Sequence, residues 1–385
     1  MATREATVPV AEERVVETFL TLARLDGPSG AERDVATYLE HALTGLGFTV
    51  RYDGAGAALG GNCGNMVAWW EGTRPAATPL FFSAHMDTVL PTAGLRPVIR
   101  DGTIYSDGTT ILGADDRAAI AAYLEGVRAI QTSRRPCGPI ELIFTVNEQP
   151  GLLGSRHLDF SLVRSRAGFV FDSSGDVGQI ITRGPYSTRL RWRIAGKPAH
   201  LGLAPEDGVS AILIAGEAVT AMRLGRVDDQ TVANVGTIRG GRLASIIPDE
   251  VDMVGEVRSF SAEGLRVQLD AMAAAVDTAA RRRGGTAEVT LEKKYLGWDL
   301  PHDSPHVEVA VRAARRAGLT PYFAETLGGA DTNIFIEHGL TCLTLGNGFR
   351  KIHSFEEHVS AANLVAAARY VIGLVQEFGA DDDRA

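Results

Sequence analysis

The sequence predicts an α/β protein with a mostly parallel sheet and a smaller α+β domain inserted into it, and three observations lead there. Short apolar runs at 65–70, 79–84, 139–146 and 167–171 are bounded by polar turns, with an alanine-rich helical stretch at 116–130 between two of them. Such continuous apolar strands interleaved with helices belong to a sheet covered on both faces. Strict alternation appears only after Gly184, where Leu190, Trp192 and Ile194 alternate with Arg189, Arg191 and Arg193, and again at Val251, Met253, Gly255 and Val257. That is the pattern of half-buried antiparallel strands. From 306 onward the first pattern returns, with helix at 307–317, strand at 340–345 and helix at 361–378.

The individual elements follow in chain order. Val15, Phe19, Leu20 and Leu22 recur at helical spacing over 11–25, and Gly27-Pro28-Ser29-Gly30 ends that helix in a turn. Ser29 and Glu32, three apart and ahead of Val35, Tyr38, Leu39 and Leu43, read as a capping box opening a second helix that stops near Gly45. Helices at 207–222 and 262–282 sit among the alternating strands, giving strand, helix, strand, strand, helix, strand over 183–292. The large domain is therefore expected to be discontinuous, 1–182 and 293–385, around an insertion at 183–292. The acidic run 381–383 reads as a frayed end.

With 385 residues, 45% of them hydrophobic, the chain can bury one large core and a second, smaller one. A formal charge of -9 offers no basic face to nucleic acid or to an anionic membrane. Residues 1–30 lack a secretory pattern, and no stretch approaches the roughly 18 apolar residues of a membrane span, so a cytoplasmic location is expected. Cys63, Cys137 and Cys342 are too dispersed for a thiolate metal site or a disulfide framework and read as structural.

Five chemically capable positions fall at expected strand ends, where α/β sheets gather ligands. In Ser83-Ala84-His85-Met86-Asp87-Thr88 the histidine can ligate a metal while Asp87 orients its ring, although a hydrogen-bonded strand-end histidine reads the same way. Asp115, in Gly113-Ala114-Asp115-Asp116, is left over once Asp116 is taken as a helix N-cap. Glu148 and Gln149 follow the strand at 139–146, and a glutamate there can take a proton from activated water. Asp172 closes the strand at 167–171, and His353 follows the turn after 340–345. Two imidazoles with several carboxylates suit zinc, with manganese or cobalt as alternatives.

These segments, in this order, resemble the peptidase T-like family of co-catalytic zinc metallopeptidases, which takes in tripeptidases, carboxypeptidase G and the aminoacylases. The likeness extends through Ala199-His200-Leu201-Gly202, Asn234-Val235-Gly236, Ile247-Pro248-Asp249, Glu256-Val257-Arg258-Ser259 and Gly328-Gly329-Ala330-Asp331-Thr332-Asn333. It implies a metallopeptidase-type catalytic domain and an inserted lid or dimerisation domain, in a homodimer that takes a short peptide or another small molecule. By the resemblance His85 and Asp172 hold one metal, Asp115 bridges, and His353 with Gln149 holds the other. Asp87 supports His85, Glu148 is the general base, His200 reaches an active site to stabilise the oxyanion, and Arg258 and Asn234 meet the substrate.

The sequence departs from the family most at Gln149, which stands where a second consecutive glutamate is usual. A neutral amide there removes one negative charge opposite the metals and is expected to weaken one site. Leu201, Ser245 and Ala330 are smaller departures. The leading expectation is an amide-bond hydrolase acting on short peptides. The runners-up are a relative repurposed for a small biosynthetic metabolite or an N-acyl amino acid, and a non-catalytic relative.

Overall fold

The computed structural model describes residues 8–382; Asp383, the end of the acidic run, lies outside them. Helix α1 (Glu12–Arg24) buries Val15, Phe19 and Leu22, a single face at i, i+4 and i+7. It is followed by α2 (Arg33–Gly45), β1 (Thr49–Tyr52), α3 (Ala55–Leu59), β2 (Met66–Trp70) and β3 (Leu80–His85). Next come the short strands β4 (Val98–Arg100) and β5 (Thr103–Tyr105), then α4 (Ala114–Ser133), β6 (Ile140–Thr145), α5 (Leu153–Arg156), β7 (Ala167–Ser173) and β8 (Gln179–Gly184). The middle of the chain forms β9 (Tyr186–Ala195), α6 (Ala211–Ala221), β10 (Gly225–Arg226), β11 (Thr231–Gly240), β12 (Glu250–Ser259), α7 (Ala262–Arg283), β13 (Thr286–Tyr295) and β14 (Trp298–Asp299). The last part adds α8 (Pro305–Arg316), β15 (Tyr322–Glu325), α9 (Asp331–Glu337), β16 (Thr341–Gly346), β17 (His358–Ser360) and α10 (Ala361–Asp382).

Two compact units result. The first holds the chain up to Thr182, Leu300–Glu325 and the residues from Ala330 on; the second holds Arg183–Asp299 and Thr326–Gly329. The chain returns to the first unit at Leu300 rather than at 293, because β13 runs on to Tyr295 and β14 pairs with Arg183 and Gly184.

The sheet of the first unit runs β1-β2-β6-β3-β7-β16-β8. Its centre is parallel, from β6 through β3 and β7 to β16, and its flanks are antiparallel. The chain passes from β3 to β6 on one side and then crosses to β7 on the other side of β3. The C-terminal ends of four parallel strands thus share one edge, with a switch point between β3 and β7, where open α/β sheets bind their ligands. Phe81 meets Phe335 of α9 at a ring distance of 5.4 Å, and Phe82 meets Tyr123 of α4 at 5.3 Å. Neighbouring strand residues point to opposite faces, so helices cover both sides of the sheet. Helices α1, α4, α8 and α10 pack together on the Phe82 side.

The second unit is an antiparallel sheet, β10-β11-β12-β9-β13, with α6 and α7 against one face. Leu190, Trp192, Ile194, Val251, Met253 and Val257 point into its core with Ile214, Met272 and Val276 from the helices. Their alternation with Arg191, Arg193 and Asp252, all exposed, follows the strand period of two.

Local chemistry differs from expectation at two helix starts. Ser29 does not cap α2: its hydroxyl donates to Asp87 Oδ2 at 2.5 Å, and Glu32 Oε1 accepts from the amides of Gly30 and Asn147. Asp116 is likewise no N-cap, since Asp115 and Asp116 both have non-helical backbone angles and Asp116 Oδ1 accepts from Asn347 Nδ2.

His306, in the first turn of α8, is buried, stacks on Phe169 at 4.4 Å and donates from Nε2 to the Gly168 carbonyl at 2.9 Å. Burial pushes its pKa down from 6.5 to about 4, because the imidazolium would carry its second N–H into the core. Below pH 6.5 the unfolded chain takes a proton that the folded chain refuses until about pH 4, so stability falls as pH drops through this window. Urea unfolding at pH 7.5 and pH 5 is expected to lose about 2 kcal/mol through this residue, a loss that His306→Asn removes.

Candidate metal centre

Strand ends, the turns that follow them and the start of α4 deliver the donors. His85 is the last residue of β3, Asp115 lies where α4 begins, Asn147-Glu148-Gln149 follows β6, Asp172 lies near the end of β7, and His353 is in the turn after β16. The turn holds His353 in left-handed backbone geometry, φ 61°, and Asn147 is also left-handed at φ 50°. Such conformations persist only where their surroundings over-determine them, and they concentrate at functional sites.

Asp115 is the centre of the cluster. Its Oδ1 lies 3.2 Å from His85 Nε2, and its Oδ2 lies 3.2 Å from His353 Nε2 and 3.0 Å from Gln149 Nε2. Donor atoms of His85, Asp115 and Asp172 all fall within 4.8 Å of one another. Glu148 Oε2 stands 3.9 Å from His85 Nε2. Of the expected set, His85, Asp87, Asp115, Glu148, Gln149, Asp172 and His353 therefore all belong to the first unit, and contacts join all of them around Asp115.

The other three expected residues lie in the second unit. His200 is exposed, and its Nδ1 accepts from the Gly202 amide at 3.1 Å. Arg258 pairs with Glu256 at 2.7 Å, as a strand neighbour would, and also donates to the Leu327 carbonyl. Asn234 and Arg258 nevertheless line one groove of ≈ 570 Å³, together with Arg189, Thr237 and Glu256.

The donors rest on Asp87, expected from the sequence, and on Glu32, Glu357 and Asp331, whose supporting roles were not. Asp87, fully buried, accepts from the Glu148 amide through Oδ1 at 2.9 Å and from the Gln149 amide and Ser29 hydroxyl through Oδ2 at 3.1 and 2.5 Å. His85 Nδ1 lies 2.9 Å from the Asp87 carbonyl, an acceptor only, so this nitrogen carries the proton and leaves Nε2 facing Asp115. Glu32 holds the Asn147 amide at 2.9 Å. Glu357, buried, accepts from the amides of Gly113 and Asp115 at 2.7 and 3.0 Å and so fixes the backbone that carries the central carboxylate. Asp331 accepts from Thr145 Oγ1 at 2.5 Å. The one signal for Glu32 was its spacing from Ser29, which mimics a capping box; Glu357 sits four residues past His353 without any local pattern.

The electrostatics favour a cation. Burial pushes the Asp115 carboxyl up, but hydrogen bonds from His353 and His85 outweigh it and hold the group far below the usual carboxylate range. Burial likewise pushes His85 down, and its bonds to Asp115 and Asp87 reverse this and raise it. Glu148 and Asp172 are pushed well up, first by burial and then by neighbouring carboxylates. Burial also lifts Glu357 to about 7, with the Asp115 charge adding to it. Asp116 Oδ2 and Asp331 Oδ1 find no hydrogen-bond partner among the described residues. So many buried acids beside two imidazoles are the arrangement that coordinated metal neutralises. The donor types, imidazole nitrogen and carboxylate oxygen, fit zinc, manganese or cobalt.

Asp87→Asn turns an amide N–H₂ toward groups that are all donors. In chelator-treated protein it is expected to lower stability by about 1–3 kcal/mol in urea unfolding and to speed amide exchange at 147–149. An unchanged midpoint would mean that Asp87 does not hold this turn.

With this geometry in view, the relatives are informative. A family model, Peptidase family M20/M25/M40, matches residues 81–377. The Bacillus subtilis (strain 168) protein YqjE is 38% identical over 368 residues, 96% of this chain and 99% of its own length. Among solved structures the chain is similar to aminopeptidase PepT from Bacillus cereus, with 37% identity, a TM-score of 0.87 and coverage of 96% of this chain and 99% of that one. It is also similar to a tripeptidase from Staphylococcus aureus, with 35% identity, a TM-score of 0.91 and the same coverage. The matched family model spans most of the chain, including the stretch from His85 to His353, and the chain belongs to peptidase family M20/M25/M40.

Proposed function

We propose that the protein is a metal-dependent aminopeptidase of the tripeptidase type, cleaving short peptides with Glu148 as general base. The observation that carries this reading is the central carboxylate Asp115, whose two oxygens face two imidazoles, with the raised Glu148 carboxyl beside them. The names of its similar structures, an aminopeptidase and a tripeptidase, support the choice of substrate class. His85, Asp115 and Asp172 would hold one ion, and Asp115, His353 and the Gln149 amide oxygen a second. Zinc is the proposed metal, with manganese or cobalt as substitutes.

A divalent ion held by these residues would supply Lewis acidity toward a peptide carbonyl and the attacking water. The protein's own groups do the rest. Glu148, held in place by the Asp87 bond to its amide, takes the water proton on a carboxylate oxygen and delivers it to the departing amine. Burial raises its proton affinity above that of an ordinary glutamate, the direction wanted in a group that takes up a proton and then hands it on. Asp87 keeps the proton on His85 Nδ1, and Glu357 keeps Asp115 in register. Arg258 and Asn234, which share a groove in the second unit, are the proposed contacts to the peptide backbone or carboxylate, and His200 the proposed oxyanion donor.

The reading extends to a cytoplasmic homodimer. Beyond Ala233, β11 has no strand partner on one side among the described residues, and Ile212, Leu213, Ile238 and Leu243 are exposed in the same unit. An open strand edge with apolar neighbours is suited to pairing with a second copy. Among the described residues no helix is long and apolar enough to cross a membrane.

Glu148→Gln tests the mechanism on a panel of tripeptides. Removing the base is expected to lower kcat by about 10²–10⁴-fold with bound metal unchanged. Full activity in this variant would remove Glu148 from the base role.

A further inference from the structure

The seam between β3 and β7 stops short. Its parallel ladder runs from Leu80 opposite Ala167 to Ser83 opposite Val170 and goes no further. On its other side β3 stays paired with β6 out to His85 opposite Thr145, while β7 is regularly paired with β16 out to Val170 opposite Thr344 and regains it at Ser173 opposite Gly346, across a bulge at Phe171 and Asp172. The β3–β7 seam therefore opens where β7 also bulges against β16. In the outermost pair of this ladder, Ser83 with Val170, the closing bond is the one from the Phe171 amide to the Ser83 carbonyl. Tyr123 Oη occupies that place, donating to Ser83 O at 2.8 Å and accepting from Phe171 N at 3.0 Å.

The residues two places beyond the last paired ones are His85, from Ser83, and Asp172, from Val170. Continuing the ladder would set these two side by side at ordinary strand spacing, about 4.7–4.9 Å between backbones. The hydroxyl wedge takes up both groups that would close the seam. Tyr123 is fully buried, and Phe82 at 5.3 Å and Phe171 at 5.6 Å pin its ring. It also lies on α4, two turns after Asp115. One hydroxyl thus ties together the three elements that carry His85, Asp115 and Asp172.

We propose that Tyr123 is a positioning residue that holds the β3–β7 seam open and so sets the spacing of the His85, Asp115 and Asp172 donors. The proposal rests on the metal-site reading above. In Tyr123→Phe the seam either closes by one bond or leaves the Ser83 carbonyl and Phe171 amide buried without partners; both shift the donors.

The test is zinc affinity of the full chain, read by competition with a chelating dye, together with the visible spectrum of the cobalt-loaded protein. Tyr123→Phe is expected to weaken the tighter zinc site by about 10–100-fold, the range for lost support of a ligand, and to shift the cobalt bands. Tyr370→Phe removes another fully buried hydroxyl of the same unit, bonded to the Ala310 carbonyl at 3.0 Å, and should leave both readouts as in the wild type. Replacing Tyr123 with p-aminophenylalanine restores a para donor and should recover most of the affinity. If Tyr123→Phe does not fold, amide exchange at Phe171 in the wild-type chain decides: zinc should slow it, and unchanged exchange overturns the proposal. Wild type that binds zinc with the same affinity as Tyr123→Phe overturns the positioning role alone. Wild type that binds no zinc overturns the metal-site reading and the role together.

Discussion

The Asp87 carboxylate is the group on which the site depends. It is fully buried, yet its oxygens accept from the Glu148 and Gln149 amides and the Ser29 hydroxyl, and Oδ1 lies 3.4 Å from His85 Nδ1. A buried charge is tolerated only when its lone pairs are filled, and here filling them assembles the centre. The end of β3, the turn after β6 and the turn before α2 are far apart in sequence and converge on these two oxygens. Burial pushes the Asp87 pKa up, but the bonds from His85 and Ser29 prevail and keep it ionised.

Around this fixed anion the centre holds more acid than its two imidazoles can balance. Asp115, Asp116, Glu148 and Asp331 are all buried with it, and the pKa values of Asp116, Glu148 and Asp331 are raised, first by burial. Metal ions are the counter-charge we propose for this site, and the donors suggest how many it takes. His85, Asp115 and Asp172 form a set with two carboxylates. Beside the other oxygen of Asp115 lie His353 and the neutral amide of Gln149, whose nitrogen donates to Asp115 here and whose oxygen would have to turn to meet a metal. The difference of one formal charge beside a dication is large in a buried site. We therefore read the centre as one strong site and one weaker one sharing Asp115.

Much of this was legible in the sequence. The period of two in β9 and β12 and the apolar runs of β3, β6 and β7 identified the layers, and the strand-end positions of His85, Glu148 and Asp172 followed from those runs. The supporting residues were harder to see because their partners are remote in sequence. Ser29 and Glu32 have the spacing of a capping box, and only the folded chain reveals that Asp87 and the Asn147 amide outcompete the helix end for them. Glu357 acts across 242 residues on the Asp115 amide, and Tyr123 looks like one more apolar position of an alanine-rich helix until the strand register is known. Patterns of local period report which face is buried. They do not report which buried polar group meets which.

If Gln149 makes the two metal sites unequal, the metal content of the protein will show it. Wild type and Gln149→Glu would be loaded with excess zinc, desalted and measured for metal per chain by mass spectrometry. One retained zinc is expected in the wild type and two in the variant, since the added carboxylate restores the missing charge. Two in both, or one in both, would contradict the role given to Gln149, and none in either would contradict the centre itself.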